Sequence, residues 1–304
     1  MKEVAGAPGP QLLGVLRELG NLKRVRSAGR PGSIAERLFT AAWSGLLGGR
    51  PVEEVWRQTT AEALVASRLG DLDHAALRAV GLSHDETQEV LLRGLREAAT
   101  NIDERIVQQL IASMQGDRSF EGHPLPPFVG QLAAQPRAGA TSPGHPRLLF
   151  EPPESHAEHC LMVAVYGVLV SPTWGAKPAT VFLAGLSHHL HNALLPDSGF
   201  VGEVLLGEAL EPACTRATEQ ALADLPPELA AKVRISREIL LAADTPEGRA
   251  FHAADTLDRV LQVEHHLRAA RTTLDFVLDD MELIHAGAVR PFQLAVIAAM
   301  GLSR

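Results

Sequence analysis

The stretch "LAGLSHHLHNA", residues 183–193, largely determines what fold the chain needs. Its apolar first half predicts a buried helix, and three histidines, His188, His189 and His191, crowd together where that helix should end. Surface loops rarely need so much imidazole, and a core does not tolerate it without polar partners. The rest of the chain must therefore supply groups that face this cluster.

Two other apolar segments each carry one polar residue of the required kind. His159 opens the run "EHCLMVAVYGVLV", and Asp255 lies on the core-facing side of "FHAADTLDRVLQ". A buried carboxylate needs a cation or several hydrogen-bond donors. Any one of these residues, taken singly, is more often a hydrogen-bonded core residue than a ligand. Together, His159, His188 and Asp255 favour one divalent ion between three helices.

Composition excludes several classes of function. The 304 residues are 46% hydrophobic and 21% charged, with a net charge of −8, which is not the basic footprint of a nucleic-acid-binding protein. The longest apolar run, residues 161–170, is too short to span a bilayer, and the first residues lack the apolar core of a signal peptide. Only Cys160 and Cys214 occur, so no disulfide framework is expected. We expect a cytoplasmic protein that binds neither nucleic acid nor membrane.

Helical periodicity dominates the chain, strand signals are weak, and no internal repeat is evident. Prolines crowd residues 116–153, where a long helix would not survive. The predicted division has three parts: a helical N-terminal region of unknown role (1–115), a Pro/Gly-rich connector (116–150) and an all-α metal-binding domain (151–304). In the first part we predict helices over 33–48, 51–69 and 83–114, and no metal ligand.

The segments "AEHCLMVA", "LAGLSHHLHNA" and "AADTLDRVL" resemble, in order and in apolar context, the three signature pieces of the HD-domain metal-dependent phosphohydrolase superfamily. The resemblance covers about residues 151–304. It implies an HD-like helical bundle in which His159, His188 and Asp255 ligate metal. It says nothing about residues 1–150.

Two departures from the family pattern matter for the chemistry. The family's His-Asp doublet is His188-His189 here, and a neutral imidazole has one lone pair and cannot bridge two ions. His189 is therefore predicted to complete a single-metal site of three histidines and one aspartate. The family's acid/base glutamate is replaced by Asn192, which we assign with Arg259 to substrate binding. The substitutes predicted for the acid/base role are His156, His191 and Asp197, with Glu203 also nearby.

The leading hypothesis is a hydrolase that uses one divalent transition metal ion, with Mn, Fe, Co, Ni and Zn not distinguished, and acts on a phosphate ester such as a small nucleotide. The preference for a small anionic substrate comes from the resemblance, since no phosphate-binding glycine motif is present. Two alternatives stay open: a catalytically silent HD-fold module that binds a ligand or partner, and an iron-dependent HD-type oxygenase. The oligomeric state, including a homo-oligomer, also stays open.

Overall fold

The computed structural model describes residues 7–114, 123–267 and 273–302. Within these residues the fold is all-α, as predicted, with a single small β-hairpin formed by β1 (Arg26–Ser27) and β2 (Arg30–Ser33). None of the helices described is both long and apolar enough to cross a membrane.

The N-terminal region forms six α-helices, with a 3₁₀ turn over Asn21–Lys23 that follows the first of them. They are α1 (Leu13–Gly20), α2 (Ile34–Leu47), α3 (Val52–Leu69), α4 (His74–Ala79), α5 (His84–Ala98) and α6 (Glu104–Ser113). The prediction of one helix over 83–114 was wrong. A turn at Asn101, which has φ +72°, interrupts the helix. Asp103 then caps α6 by accepting a hydrogen bond from the backbone N–H of Arg105.

Eight further α-helices follow. They are α7 (Pro127–Ala134), α8 (His156–Val170), α9 (Pro178–Ser187), α10 (Gly199–Leu206), α11 (Leu210–Leu222), α12 (Pro227–Arg237), α13 (Pro246–Leu267) and α14 (Arg290–Ala299). Helix α7 lies inside the proline-rich segment because its proline occupies the first helical position, where a missing N–H costs nothing. Residues 115–122 of that segment lie outside the described residues.

Helix α8 is the centre of the molecule, and every residue along it is buried. It packs against α9 and α13, which follow it in the chain, and against α2 and α7, which precede it. The approach to α9 is close at Gly185, where an added Cβ would lie 2.7 Å from the backbone N and Cα of Ala164. The Tyr166 hydroxyl donates a 2.6 Å hydrogen bond to the carbonyl of Leu16 in α1, so the N-terminal helices and α8 share one core.

Helices α2 and α8 begin in the same way. In each, a serine hydroxyl (Ser33 or Ser155) accepts a hydrogen bond from the N–H of a glutamate three residues later, Glu36 or Glu158. The segments "SIAERLFTAAWSGLL" (33–47) and "SHAEHCLMVAVYGVL" (155–169) also match at two alanines, a glycine and a leucine. The two helices pack against each other. The likeness is not evident as an internal repeat in the sequence, because most of the intervening residues differ.

Candidate metal centre

Three helices bring the predicted metal ligands together. His159 lies in the first turn of α8, His188 caps the C-terminal end of α9, and Asp255 lies on α13. One ring nitrogen from each of His159, His188 and His189 lies within 4.8 Å of the others. Asp255 Oδ1 lies 3.2 Å from His159 Nε2 and 3.9 Å from His188 Nε2. The carboxyl end of α9 also carries a partial negative charge that favours a cation here.

The hydrogen bonds of the two buried histidines fix where their protons are. His188 Nδ1 lies 2.7 Å from the carbonyl oxygen of Gly185, which can only accept, so Nδ1 carries the proton. His159 Nδ1 lies 2.7 Å from Asp258 Oδ2 and is likewise the donor. Both Nε2 atoms therefore present lone pairs, and these atoms face each other at 3.1 Å. Two lone pairs and the Asp255 carboxylate converge on one point, an arrangement that fits a cation.

His189 can join this group because the α-helix stops before it. Helix α9 ends at Ser187, and the chain continues as a 3₁₀ turn over Leu190–Ala193. The rings of His188 and His189 consequently lie with centroids 4.2 Å apart. His189 Nδ1 lies 2.8 Å from Asn192 Oδ1, and the Asn192 amide nitrogen donates to the carbonyl of Leu195. Because an amide oxygen only accepts, the proton of His189 lies on Nδ1, and its Nε2 atom keeps a free lone pair.

The pKa values of His188, His189 and Asp255 are shifted toward the protonation states that bind a cation. Burial, then the neighbouring His159, lowers the pKa of His188 well below its usual value. Burial and His188 do the same to His189. Burial alone would raise the pKa of Asp255, but the contact with His159 and the charge of Arg259 lower it well below the usual range. Neutral imidazoles beside an ionised carboxylate are the forms that bind a metal ion.

A second group of candidate ligands, Glu154, His159 and Asp258, is also close enough to hold an ion. The Lys23 ammonium lies among these side chains, 2.5 Å from Glu154 Oε1 and 2.6 Å from Asp258 Oδ1. The two carboxylates therefore already have a cation, and the group does not fit a metal.

A cavity of about 680 Å³ opens beside the metal centre and is lined by His188, His189 and Asp255. Two arginines line it. Arg259 donates to the carbonyl of Leu283 and lies 3.8 Å from Asp255 Oδ2. Arg137 has one terminal nitrogen, Nη1, that is buried without a hydrogen-bond partner among the described residues.

The structure distributes the predicted catalytic and substrate residues unevenly around the cavity. Asp197 lines it and accepts hydrogen bonds from the N–H groups of Ala138 and Gly199, both at 2.9 Å. His156 is buried behind it, with Nε2 3.4 Å from Asp197 Oδ2. Glu203 also lines the cavity.

The remaining predicted residues have other surroundings. Asn192 contacts His189, so its position suits orientation of that ring better than contact with a substrate. The ring of His191 lies 5.5 Å from the ring of His189, and burial lowers its pKa to about 4. The catalytic and binding roles assigned to all these residues stay predictions.

Sequence reasoning missed Arg137, Lys23 and Asp258. Arg137 stands in "QPRAGA", a proline- and glycine-rich stretch that was assigned to a connector without chemistry. Asp258 was given no role, although its place three residues after Asp255 puts both on one side of α13. No local signal marks Lys23, because its partners are distant in the chain.

The structure is an all-α bundle that directs histidines at the ends of two helices and an aspartate from a third helix toward one cavity. The family model for the HD domain matches residues 129–288, just over half of the chain. The chain therefore belongs to the HD-domain family, as the resemblance predicted, within a superfamily of metal-dependent hydrolases. The match begins inside the proline-rich segment. No curated protein and no solved structure matches the chain.

Proposed function

We propose that this protein is a metal-dependent hydrolase that acts on a small phosphate ester, with one divalent transition metal ion held by His159, His188, His189 and Asp255. The observation that carries the proposal is the pair of Nε2 lone pairs that face each other at 3.1 Å with the Asp255 carboxylate beside them. When both rings are neutral, the two Nε2 atoms and the carboxylate are all acceptors, and a bound cation would satisfy them. A bound ion would polarise a phosphoryl oxygen and acidify a water molecule.

The cavity supports an anionic substrate. Arg137 Nη1 is buried and has no hydrogen-bond partner in the part of the chain that the structure describes, and Arg259 is held at the cavity wall through its bond to the carbonyl of Leu283. Guanidinium groups bind phosphate oxygens through paired hydrogen bonds. We assign Arg137 and Arg259 to the phosphate, and the cavity volume of about 680 Å³ accommodates a nucleotide-sized molecule.

Asp197 and His156 form the proposed acid/base pair. Burial alone would raise the pKa of Asp197, but His156, the backbone donors and Arg137 lower it below the usual range. Burial lowers the pKa of His156, which is partly offset by Asp197. Asp197 therefore faces the cavity as an ionised carboxylate and accepts the proton that the attacking water loses, while His156 Nε2 supports it from behind.

The test combines metal analysis with an activity panel. Freshly purified protein is analysed for bound transition metals, then assayed on p-nitrophenyl phosphate and nucleoside monophosphates with Mn, Co, Ni, Fe or Zn added. We expect about one ion per chain, metal-dependent phosphate release, and a KM raised at least tenfold in Arg137→Ala. Arg234→Ala is the matched control, since Arg234 pairs with Glu219 at an exposed site.

A metal-loaded protein with no activity on any phosphate ester would contradict the hydrolase and favour the silent binding module. Oxygen consumption by an iron-loaded sample would favour the oxygenase instead. Equal KM values for Arg137→Ala and Arg234→Ala would remove Arg137 from the substrate site.

A further inference from the structure

We propose that Lys23, from the N-terminal region, is a positioning residue of the metal centre and acts through Asp258 on His159. The inference rests on the proposed metal site but not on phosphate-ester hydrolysis. It gives the N-terminal region a role at the centre although that region supplies no proposed ligand.

The contacts form one continuous chain. Lys23 ends the 3₁₀ turn after α1, and its Nζ lies 2.6 Å from Asp258 Oδ1. The other oxygen of the same carboxylate, Oδ2, lies 2.7 Å from His159 Nδ1. Each oxygen of Asp258 thus has its own partner, and the carboxylate cannot rotate without losing one of them. The side chains of Lys23, Asp258 and His159 are 2%, 1% and 0% exposed, so water does not replace these bonds.

Charge explains why a lysine is needed at this place. Asp258 and Glu154 are two carboxylates in the interior, and Lys23 is the one cation that contacts both among the described residues. With one oxygen held by Lys23, the Asp258 carboxylate presents its other oxygen to the Nδ1 proton of His159, which leaves the Nε2 lone pair directed at the proposed metal.

Removal of the ammonium would leave an uncompensated buried carboxylate. The Asp258 carboxylate would then be free to turn toward another donor, and His159 would lose the partner that fixes its tautomer. The predicted consequence is a weaker metal site whose ligands are all still present.

The test measures metal affinity in variants that are folded by circular dichroism, through competition of Co²⁺ or Zn²⁺ with a chelator. We expect Lys23→Met to weaken metal binding about 10- to 100-fold, the range for loss of a group that supports a ligand. Asp258→Asn should weaken it by a similar factor, and the double variant should be no weaker than Asp258→Asn alone, because Lys23 acts through Asp258. The matched control is Leu16→Ala, which removes core packing from α1 without touching the chain of contacts.

Nitrogen NMR on the metal-free protein gives a second readout, since loss of Lys23 should change the tautomer of His159. Lys23→Gln, which keeps a polar group, serves if Lys23→Met does not fold. Wild-type metal affinity in a folded Lys23 variant, or additive losses in the double variant, would overturn the proposal. If the wild-type protein itself binds no metal, the failure belongs to the proposed metal site instead.

Discussion

Replacement of His189 by aspartate restores the His-Asp doublet that the resemblance assigns to HD-domain relatives. In the wild-type chain His189 stands beside His188, with ring centroids 4.2 Å apart, and contributes one lone pair to the centre. Aspartate at this place adds one negative charge and two acceptor oxygens. It also removes the contact between His189 and Asn192.

The charges give the size of the effect. A carboxylate about 4 Å from a divalent ion, at an effective dielectric constant of about 20, gains about 8 kcal/mol of attraction. Burial of that carboxylate costs several kcal/mol, and an imidazole ligand is lost as well. We expect a net gain of about 1.4 to 2.8 kcal/mol, or a ten- to hundredfold tighter first ion. The second oxygen permits bridging, so the stoichiometry should rise from one toward two.

The assay is metal stoichiometry and affinity by mass spectrometry under native conditions and by chelator competition. His191→Asp is the matched control, because it adds the same charge two residues away on a side chain outside the proposed ligand set. If His189→Asp leaves stoichiometry and metal preference unchanged while His191→Asp alters them, the histidine cluster has been assigned wrongly.

Two further predictions concern stability. His188, His189 and His191 have pKa values lowered by burial, so the unfolded chain takes up protons first as the pH falls below about 6.5. The metal-free protein should therefore lose about 1.4 kcal/mol of unfolding free energy per pH unit for each such histidine between pH 6.5 and about 4, and urea titrations with a flat midpoint from pH 7 to 5 would contradict this. Gly185→Ala should destabilise the protein by about 1–3 kcal/mol in spite of its better helix propensity, because the new Cβ meets the backbone of Ala164. A thermal midpoint equal to or above wild type would show that α8 and α9 separate more easily than their packing suggests.

The sequence was sufficient for the fold class, the family and the approach of His159, His188 and Asp255 to one another. Each of these residues follows or interrupts an apolar run, so its burial, and with it the need for a partner, can be inferred locally. The break between α5 and α6 was missed because the residues around Asn101 fit a helix pattern well enough, and only the positive φ at Asn101 reveals the turn.

Long-range pairs were beyond the reach of local patterns. Lys23 and Asp258 are 235 positions apart, and nothing in "NLKRVR" distinguishes the buried lysine from the more exposed arginines, Arg24 and Arg26, beside it. Arg137 was missed for a different reason, since proline-rich segments are usually surface connections, whereas this one forms a wall of the cavity.

The shared beginning of α2 and α8 places different side chains at equivalent positions of the two helices. With the two serine caps aligned, Arg37 stands in α2 where His159 stands in α8. Arg37 pairs with Asp71, so a guanidinium–carboxylate pair occupies the place that corresponds to a ligand of the proposed centre. The same serine-capped helix start therefore has two uses in one molecule. In α8 its fifth residue, a histidine, faces the proposed metal centre, and in α2 its fifth residue is a cationic arginine whose charge a nearby carboxylate neutralises.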